Sequence, residues 1–246
     1  MLALYVQSAL MYTYLLINLF TLLPPLSRAF EPRMRFYKEW PFLFTGIFVA
    51  GLIFILWDVI FTRQGIWGFN PDYLCGIEIS HLPIEEWLFF LTVPYASIFI
   101  YATFGFFVPL KISTGFSRIV SLGLGLLLLA LSLYHQDRAY THITFGLSAI
   151  ILLAQGLFIK GPYMGRFFIS YLIILVPFFL VNGILTGAVT AEPIVWYNDH
   201  ENLSIRLLTI PVEDSVYGML LLLIAVTVYE ELRFRIRGGY SYSQTN

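Results

Sequence analysis

Pro83-Ile84-Glu85-Glu86-Trp87-Leu88-Phe89-Phe90 and Pro211-Val212-Glu213-Asp214-Ser215-Val216-Tyr217-Gly218 each open a long apolar run with two adjacent carboxylates. The two stretches lie 128 positions apart. An aromatic residue and an asparagine precede each, Phe69-Asn70 and Tyr197-Asn198, with 15 positions from the asparagine to the first carboxylate in both. Proline suits the first turn of a helix, and acidic side chains are favoured at its positive N-terminus. Both stretches therefore read as helix starts. Two matching acidic pairs in an apolar chain are hard to explain as solubilising surface.

The surrounding composition is that of a membrane protein. Hydrophobic residues make up 59% of the chain and charged residues 12%, against about a quarter charged in a soluble domain. A net charge of −1 gives no basic footprint for nucleic acid. The single cysteine, Cys75, excludes an intrachain disulfide and a cysteine-rich metal site. No lysine or arginine precedes Arg28, and the first apolar run is too long for a secretory leader.

A membrane crossing needs roughly 20 mainly apolar residues. Seven segments qualify: 2–23, 40–61, 85–107, 116–134, 142–159, 164–185 and 211–230. The expected fold is an all-α membrane protein of seven transmembrane helices. Pro24-Pro25 is expected to stop the first, and Pro41 to start the second. Arg28, Arg33, Arg35, Lys38, Lys111, Arg118, Lys160, Arg166, Arg233, Arg235 and Arg237 then fall on one side, against Arg63, Arg138 and Arg206 on the other. The positive-inside rule puts the N-terminus outside and the C-terminus in the cytoplasm of a multi-pass cell-membrane protein. Both long loops, 62–84 and 186–210, are then external and lead into the acidic pairs.

Spans one to three and five to seven read as two copies joined by span four. The expected divisions are a first repeat over 1–110, a connecting helix over 111–138, and a second repeat over 139–246 that ends in a short basic tail. Four crossings separate matching spans, so the copies point the same way, related by an axis along the membrane normal. Both acidic pairs then share one depth and one interface.

Ionisable residues in membrane segments are functional candidates by default. Adjacent carboxylates repel, so one of them is a candidate to hold a proton and act as a general acid. The plainer alternative is a capped helix start among the lipid headgroups. Asp58, at the outer end of span two, is expected either near Glu85 or in solvent. Asn70 and Asn198 are expected to orient a carboxyl group or to close a turn. His81 and His200 have no partners at metal-ligand spacing, so no metal is expected. Trp57, Trp67, Phe69, Trp87 and Tyr197 suit an interfacial aromatic belt or walls of π-faces around a cation.

Other chemistries lack support. Gly123-Leu124-Gly125 lies inside an apolar span, without the third glycine of a dinucleotide fold. There is no P-loop and no serine nucleophile elbow. Lys38, Lys111 and Lys160, the chain's lysines, all fall in loops. That removes the Schiff base of a seven-span retinal protein.

The stretch Asp58…Gly65-Ile66-Trp67-Gly68-Phe69-Asn70-Pro71…Tyr73…Leu82-Pro83-Ile84-Glu85-Glu86-Trp87-Leu88-Phe89-Phe90…Pro94 resembles the integral-membrane lycopene cyclases. So does Asn182…Glu192-Pro193…Tyr197-Asn198…Arg206…Ile210-Pro211-Val212-Glu213-Asp214. The likeness covers most of the chain and is to the fused form of the two-subunit cyclases, similar to the cyclase part of a fungal fusion. One departure is that no glycine precedes Arg206 in the loop 198–210, where the family pattern places one.

The resemblance implies a redox-neutral isomerisation in carotenoid biosynthesis. An acid protonates the terminal double bond of lycopene, a ring closes through a carbocation, and a proton is lost. Glu85, Glu86, Glu213 and Asp214 are the implied catalytic residues, either with Glu85 and Glu213 as the acid and base and Glu86 and Asp214 tuning them, or with these roles exchanged. Asn70, Asn198, Asp58, Trp67, Phe69, Trp87 and Tyr197 are the implied substrate-binding set. The implied partners are a linear carotenoid, membrane lipid and other enzymes of the pathway; no cofactor is implied. Membrane carboxylates in a repeat also suit a proton-coupled transporter, and a non-catalytic carotenoid or lipid binder is a third reading.

Overall fold

The computed structural model describes residues 10–108 and 112–240. Seven α-helices make up most of it: α1 Thr13–Arg28, α2 Trp40–Gln64, α3 Ile84–Phe107, α4 Thr114–Tyr134, α5 Ala139–Ala154, α6 Met164–Leu185 and α7 Val212–Arg237. Six helical segments are long and apolar enough to cross a membrane, and together they contain α2 to α7. Their length follows from composition: the 25 residues of α2 extend about 38 Å at 1.5 Å per residue. The described part of the first expected span is the 16-residue α1. The beginning of that span, Lys111 and the last six residues lie outside the described residues.

Three boundaries differ from the sequence reading. α1 continues through Pro24 and Pro25 to Arg28. A proline removes one helical hydrogen bond, and this pair sits in the last turns, where the helix is about to end. α5 widens into a π-turn over Gln155–Ile159 and stops at Lys160, in the left-handed region at φ 51°. α7 runs past Glu230 and takes up Arg233, Arg235 and Arg237, so the expected basic tail is helical to Gly238.

α7 is the most buried of the apolar spans and α4 the least. α2 packs along α7, α1 along α3, α5 along α7, and α4 against α5. At one end, ion pairs close the bundle. Glu39 accepts from Arg233 Nε at 3.0 Å, from Tyr229 at 3.3 Å and from Arg237. Glu230, fully buried, accepts from Arg166 at 2.5 Å and from the Tyr101 hydroxyl at 2.6 Å.

The two long loops meet at the other end. β1 (Trp67–Phe69) and β4 (Val195–Tyr197) pair antiparallel, with Gly68 opposite Trp196 at the centre. The pairing is flanked by two matched hydrogen bonds. Asn70 N–H donates to Ile194 O and Asn198 N–H to Ile66 O, both at 2.9 Å, and the residues involved are 128 apart. Gly68 is required here, because a Cβ would meet the Trp196 ring at 2.3 Å.

Each loop then folds a two-residue hairpin, β2 (Glu78–Ile79) with β3 (Leu82–Pro83), and β5 (Arg206–Leu207) with β6 (Ile210–Pro211). These deliver Pro83 and Pro211 as the residues that precede α3 and α7. Ile84 N–H donates to Ile77 O and Val212 N–H to Ile205 O, again positions 128 apart.

Candidate active site: an acidic end on an apolar groove

A groove of about 640 Å³ runs between α1, α3, α6 and α7, within the usual range for small-molecule sites. Its lining extends along α1 from Tyr14 to Arg28, along α3 from Glu86 to Ile100, and along α6 from Tyr171 to Leu185. Each interval is fourteen residues, so the groove is about 21 Å long. Phe20 on α1 and Leu180 on α6 line it and are themselves largely exposed, so its open side faces the surroundings of the bundle. The walls are almost wholly apolar until the loop end, where Asp58, Glu86 and Asp214 appear together.

Each of these carboxyl groups is held by a ring. Tyr14 donates its hydroxyl to Glu86 Oε2 at 2.5 Å. Tyr140 donates to Asp214 Oδ1 at 2.6 Å and Tyr197 to Asp214 Oδ2 at 2.8 Å. Trp67 Nε1 donates to Asp58 Oδ1 at 2.5 Å, with Thr62 adding a second donor at 3.2 Å. Asp58 is buried and lies beside Glu86; the alternative of a solvated Asp58 is thereby corrected. Burial, reinforced by the Asp214 charge, holds the Tyr197 phenol well above its ordinary range, so it remains a donor.

The neighbouring carboxylates face away from the groove. Glu85 Oε1 accepts the Cys75 N–H at 2.7 Å. Glu213 Oε1 accepts the Leu203 N–H at 2.8 Å and the Thr141 hydroxyl at 2.6 Å. In both, Oε2 is buried without a protein partner. Adjacent helix residues point about 100° apart, so one of each pair meets the groove and the other ties down the loop behind it.

The remaining expected site residues divide in the same way. Trp67, Phe69 and Tyr197 line the groove. Asn70 and Asn198 reach no carboxyl group; their side chains accept the backbone N–H two residues on, from Asp72 and His200, both at 3.1 Å. They close turns, as Asx residues do. Trp87 turns outward and donates to Ile79 O at 3.2 Å. Tyr14, Tyr140 and Thr141 were not among the expected residues, since a tyrosine at the end of an apolar helix looks like any belt aromatic.

Aromatic rings pack closely around the acidic end. Trp67 lies 5.1 Å from Tyr140 and 4.9 Å from Phe61, centroid to centroid. Trp57 lies 5.1 Å from Tyr217, and Tyr140 and Tyr197 stack at 5.9 Å. Such faces attract a cation and leave little room for water.

A family model described as lycopene cyclase matches residues 11–104 and 137–232. The chain belongs to the lycopene cyclase family. The matched segments hold α1 to most of α3 and α5 to most of α7, and they omit α4, as a fused two-part cyclase would. Their starts are 126 apart and their ends 128. Tyr14 and Tyr140 are likewise 126 apart and Glu86 and Asp214 128 apart, so the two tyrosine–carboxylate contacts occupy corresponding places in the two matched segments. Comparison with curated proteins and with solved structures gave no match. Family membership makes this a membrane protein of carotenoid biosynthesis with a carotenoid substrate.

Proposed function

We propose that the cyclase closes end rings on lycopene by acid catalysis at the loop end of the groove, with no net redox change and no cofactor, as an intramolecular lyase or isomerase. What carries this reading is the meeting of carboxyl groups from both halves, each with its tyrosine or tryptophan donor, at one end of an apolar groove. Glu86 is assigned as the acid. It gives its proton to the terminal C1=C2 bond, and the cation forms at C1. The C5=C6 bond then attacks C1, closing the six-membered ring and moving the cation to C5. Loss of a neighbouring proton to Asp214 or Asp58 restores the double bond, as a β-ring if the proton leaves from C6. That carboxyl group then passes the proton back to Glu86, so the acid is restored and proton taken and proton returned balance.

The physical demands of these steps fit the residues assigned to them. A phenol aimed at a carboxyl group stabilises the carboxylate left when the proton departs, and hydrogen bonds to charged groups are the strong ones. Trp67, Tyr140, Tyr197 and Tyr217 wall the place where the cation develops and exclude water that would quench it. This assignment exchanges the parts first expected within each acidic pair. Glu85 and Glu213 become the residues that hold the loops over the site.

In the bilayer, the matched halves are taken as parallel repeats about an axis along the membrane normal. The N-terminus and acidic end lie outside and the arginine-rich end inside, in the cell membrane. Substrate enters sideways from lipid between α1 and α6. The test is pigment analysis of lycopene-accumulating cells. The parent chain is expected to give cyclic carotenoid, and Glu86→Gln and Asp214→Asn to leave lycopene with the protein still in the membrane. Unchanged lycopene beside well-expressed parent protein would sink the proposal.

A further inference from the structure

On the loop side of the acidic end, a second hollow of about 330 Å³ lies between the 62–84 loop and the strand that carries Trp196. Trp67 and Phe69 line both this hollow and the groove, so the wall between the two is one side chain thick. Thr62, Glu78 and His81 line the hollow and not the groove. Glu78 and His81 are exposed, which opens the hollow to solvent. At roughly 30 Å³ per molecule it has room for several waters, with polar partners for them in these three side chains.

Local structure aims one hydroxyl across that wall. Thr62 stands in the last turn of α2, four residues after Asp58, and such positions share a helix face. Its hydroxyl donates to Asp58 Oδ1 at 3.2 Å. α2 then ends at Gly65, at φ 71°, and the chain reverses so that Trp67 Nε1 donates to the same oxygen. Asp58 lies beside Glu86. From solvent inward the groups therefore run Glu78 and His81, Thr62, Asp58, Glu86. A hydroxyl donates one hydrogen bond and accepts others, so Thr62 can serve water and Asp58 at once. The second half carries no such line. The positions 128 on are Thr186 for Asp58, Thr190 for Thr62, Val195 for Trp67, Arg206 for Glu78 and Thr209 for His81. Thr186 bonds Thr209 at 2.7 Å, and no carboxyl or imidazole stands at any of the five.

We propose that Thr62 is a proton port: through its hydroxyl, Asp58 and then Glu86 exchange protons with water in the outer hollow while the groove stays dry. This rests on the cyclase reading above. Each pass swaps like for like. Thr62 gives its proton to Asp58 Oδ1 as it takes one from water, and Asp58 gives one to Glu86. The reverse pass returns a proton to the hydroxide left in the hollow, so nothing is consumed. Return of the ring proton to Glu86 restores the acid after a completed closure. A closure that loses its proton to the surroundings leaves Glu86 ionised and the site idle. The port re-arms Glu86 in that case, without admitting water past Trp67 and Phe69.

The experiment is conversion of lycopene by the purified full chain in lipid vesicles made up in D2O. Lycopene is supplied at saturation, so that closures follow one another without pause. Deuterium is counted per ring by mass spectrometry and placed by NMR. The parent is expected to put one deuteron on C2 of each ring, since Glu86 refills from solvent between closures. Thr62→Val keeps the shape and removes the hydroxyl. Its rings are expected to lose more than half of that deuterium, because each ring proton is handed on to the next molecule, and Thr62→Ser is expected to restore it. Deuterated lycopene in ordinary water gives the converse arm: Thr62→Val is expected to pass the deuteron lost from one molecule to C2 of the next, and the parent is not. Thermal midpoint and membrane level are compared with the parent throughout. A folded Thr62→Val protein that stops after its first ring supports the port equally, since Glu86 is then not re-armed. Full deuterium in the Thr62→Val rings, or protium in those of the parent, overturns the port and leaves the cyclase reading intact. No ring from the parent overturns the cyclase reading and the port with it.

Discussion

Replacing Tyr14 by phenylalanine removes one oxygen and leaves the ring that packs edge-on to Phe89, 6.4 Å away. The hydroxyl lost is the one that donates to Glu86 at 2.5 Å. Under the proposed mechanism that hydroxyl acts on the charge that appears when Glu86 gives up its proton. A hydrogen bond to a charged group contributes about 1.5–3 kcal/mol. At 1.36 kcal/mol per tenfold in rate, Tyr14→Phe should slow ring closure by roughly 10- to 150-fold. Tyr140→Phe makes the same cut at Asp214, but there Tyr197 still donates at 2.8 Å. Its loss should be at or below the low end of that range, about tenfold. The rate at saturating lycopene in vesicles, followed by chromatography of ring products, measures both. KM should be unchanged within about twofold in either variant, since neither hydroxyl positions the polyene. A Tyr14→Phe rate within about threefold of the parent, or a larger loss from Tyr140→Phe than from Tyr14→Phe, would refute the assignment of Glu86 as the acid.

Three other outcomes are expected. Arg166→Met takes a cation from buried Glu230 and should destabilise the fold by about 3–5 kcal/mol, while Arg166→Met with Glu230→Leu should recover most of that; unfolding midpoints in detergent compare them, and equal losses would show that the pair is not coupled. A Cβ on Gly46 would meet the Ala225 carbonyl oxygen at 2.4 Å, so Gly46→Val forces α2 off α7 and should cost about 1–3 kcal/mol by overpacking, seen as a lowered thermal midpoint; an unchanged midpoint would mean the helices are not in backbone contact. Burial pushes the Cys75 thiol up, and the Glu85 carboxylate adds to this against a hydrogen bond with the Ile77 backbone. Only the thiolate is alkylated, so the iodoacetamide rate should reach its midpoint above the ordinary thiol value of about 8.5; a midpoint at or below that value would place Cys75 away from Glu85.

The apolar helices were legible because length and composition alone decide them. The paired loops were partly legible: the spacing from Asn70 to Glu85 recurs at Asn198 and Glu213, but nothing in it says that strands 67–69 and 195–197 bond to each other. The hairpins are two residues per strand, and the first turns through Ser80 and His81, both at positive φ without the usual glycine. The carboxylates of the candidate site were legible, but not the directions in which they point. Glu85 and Glu86 carry the same charge one position apart, and only the setting of the helix decides which meets the groove. Tyr14 and Tyr140 were hidden by resemblance to many other aromatics.

The Gly68–Trp196 contact also decides which halves can join. The indole of one half occupies the volume that a side chain on the other would need. Two first halves brought together the same way would set glycine against glycine and leave a hole, and two second halves would force two indoles into space for one. The loop thus discriminates against like pairing by shape alone. A knob and its socket, one on each half, would let such halves select each other even as separate chains.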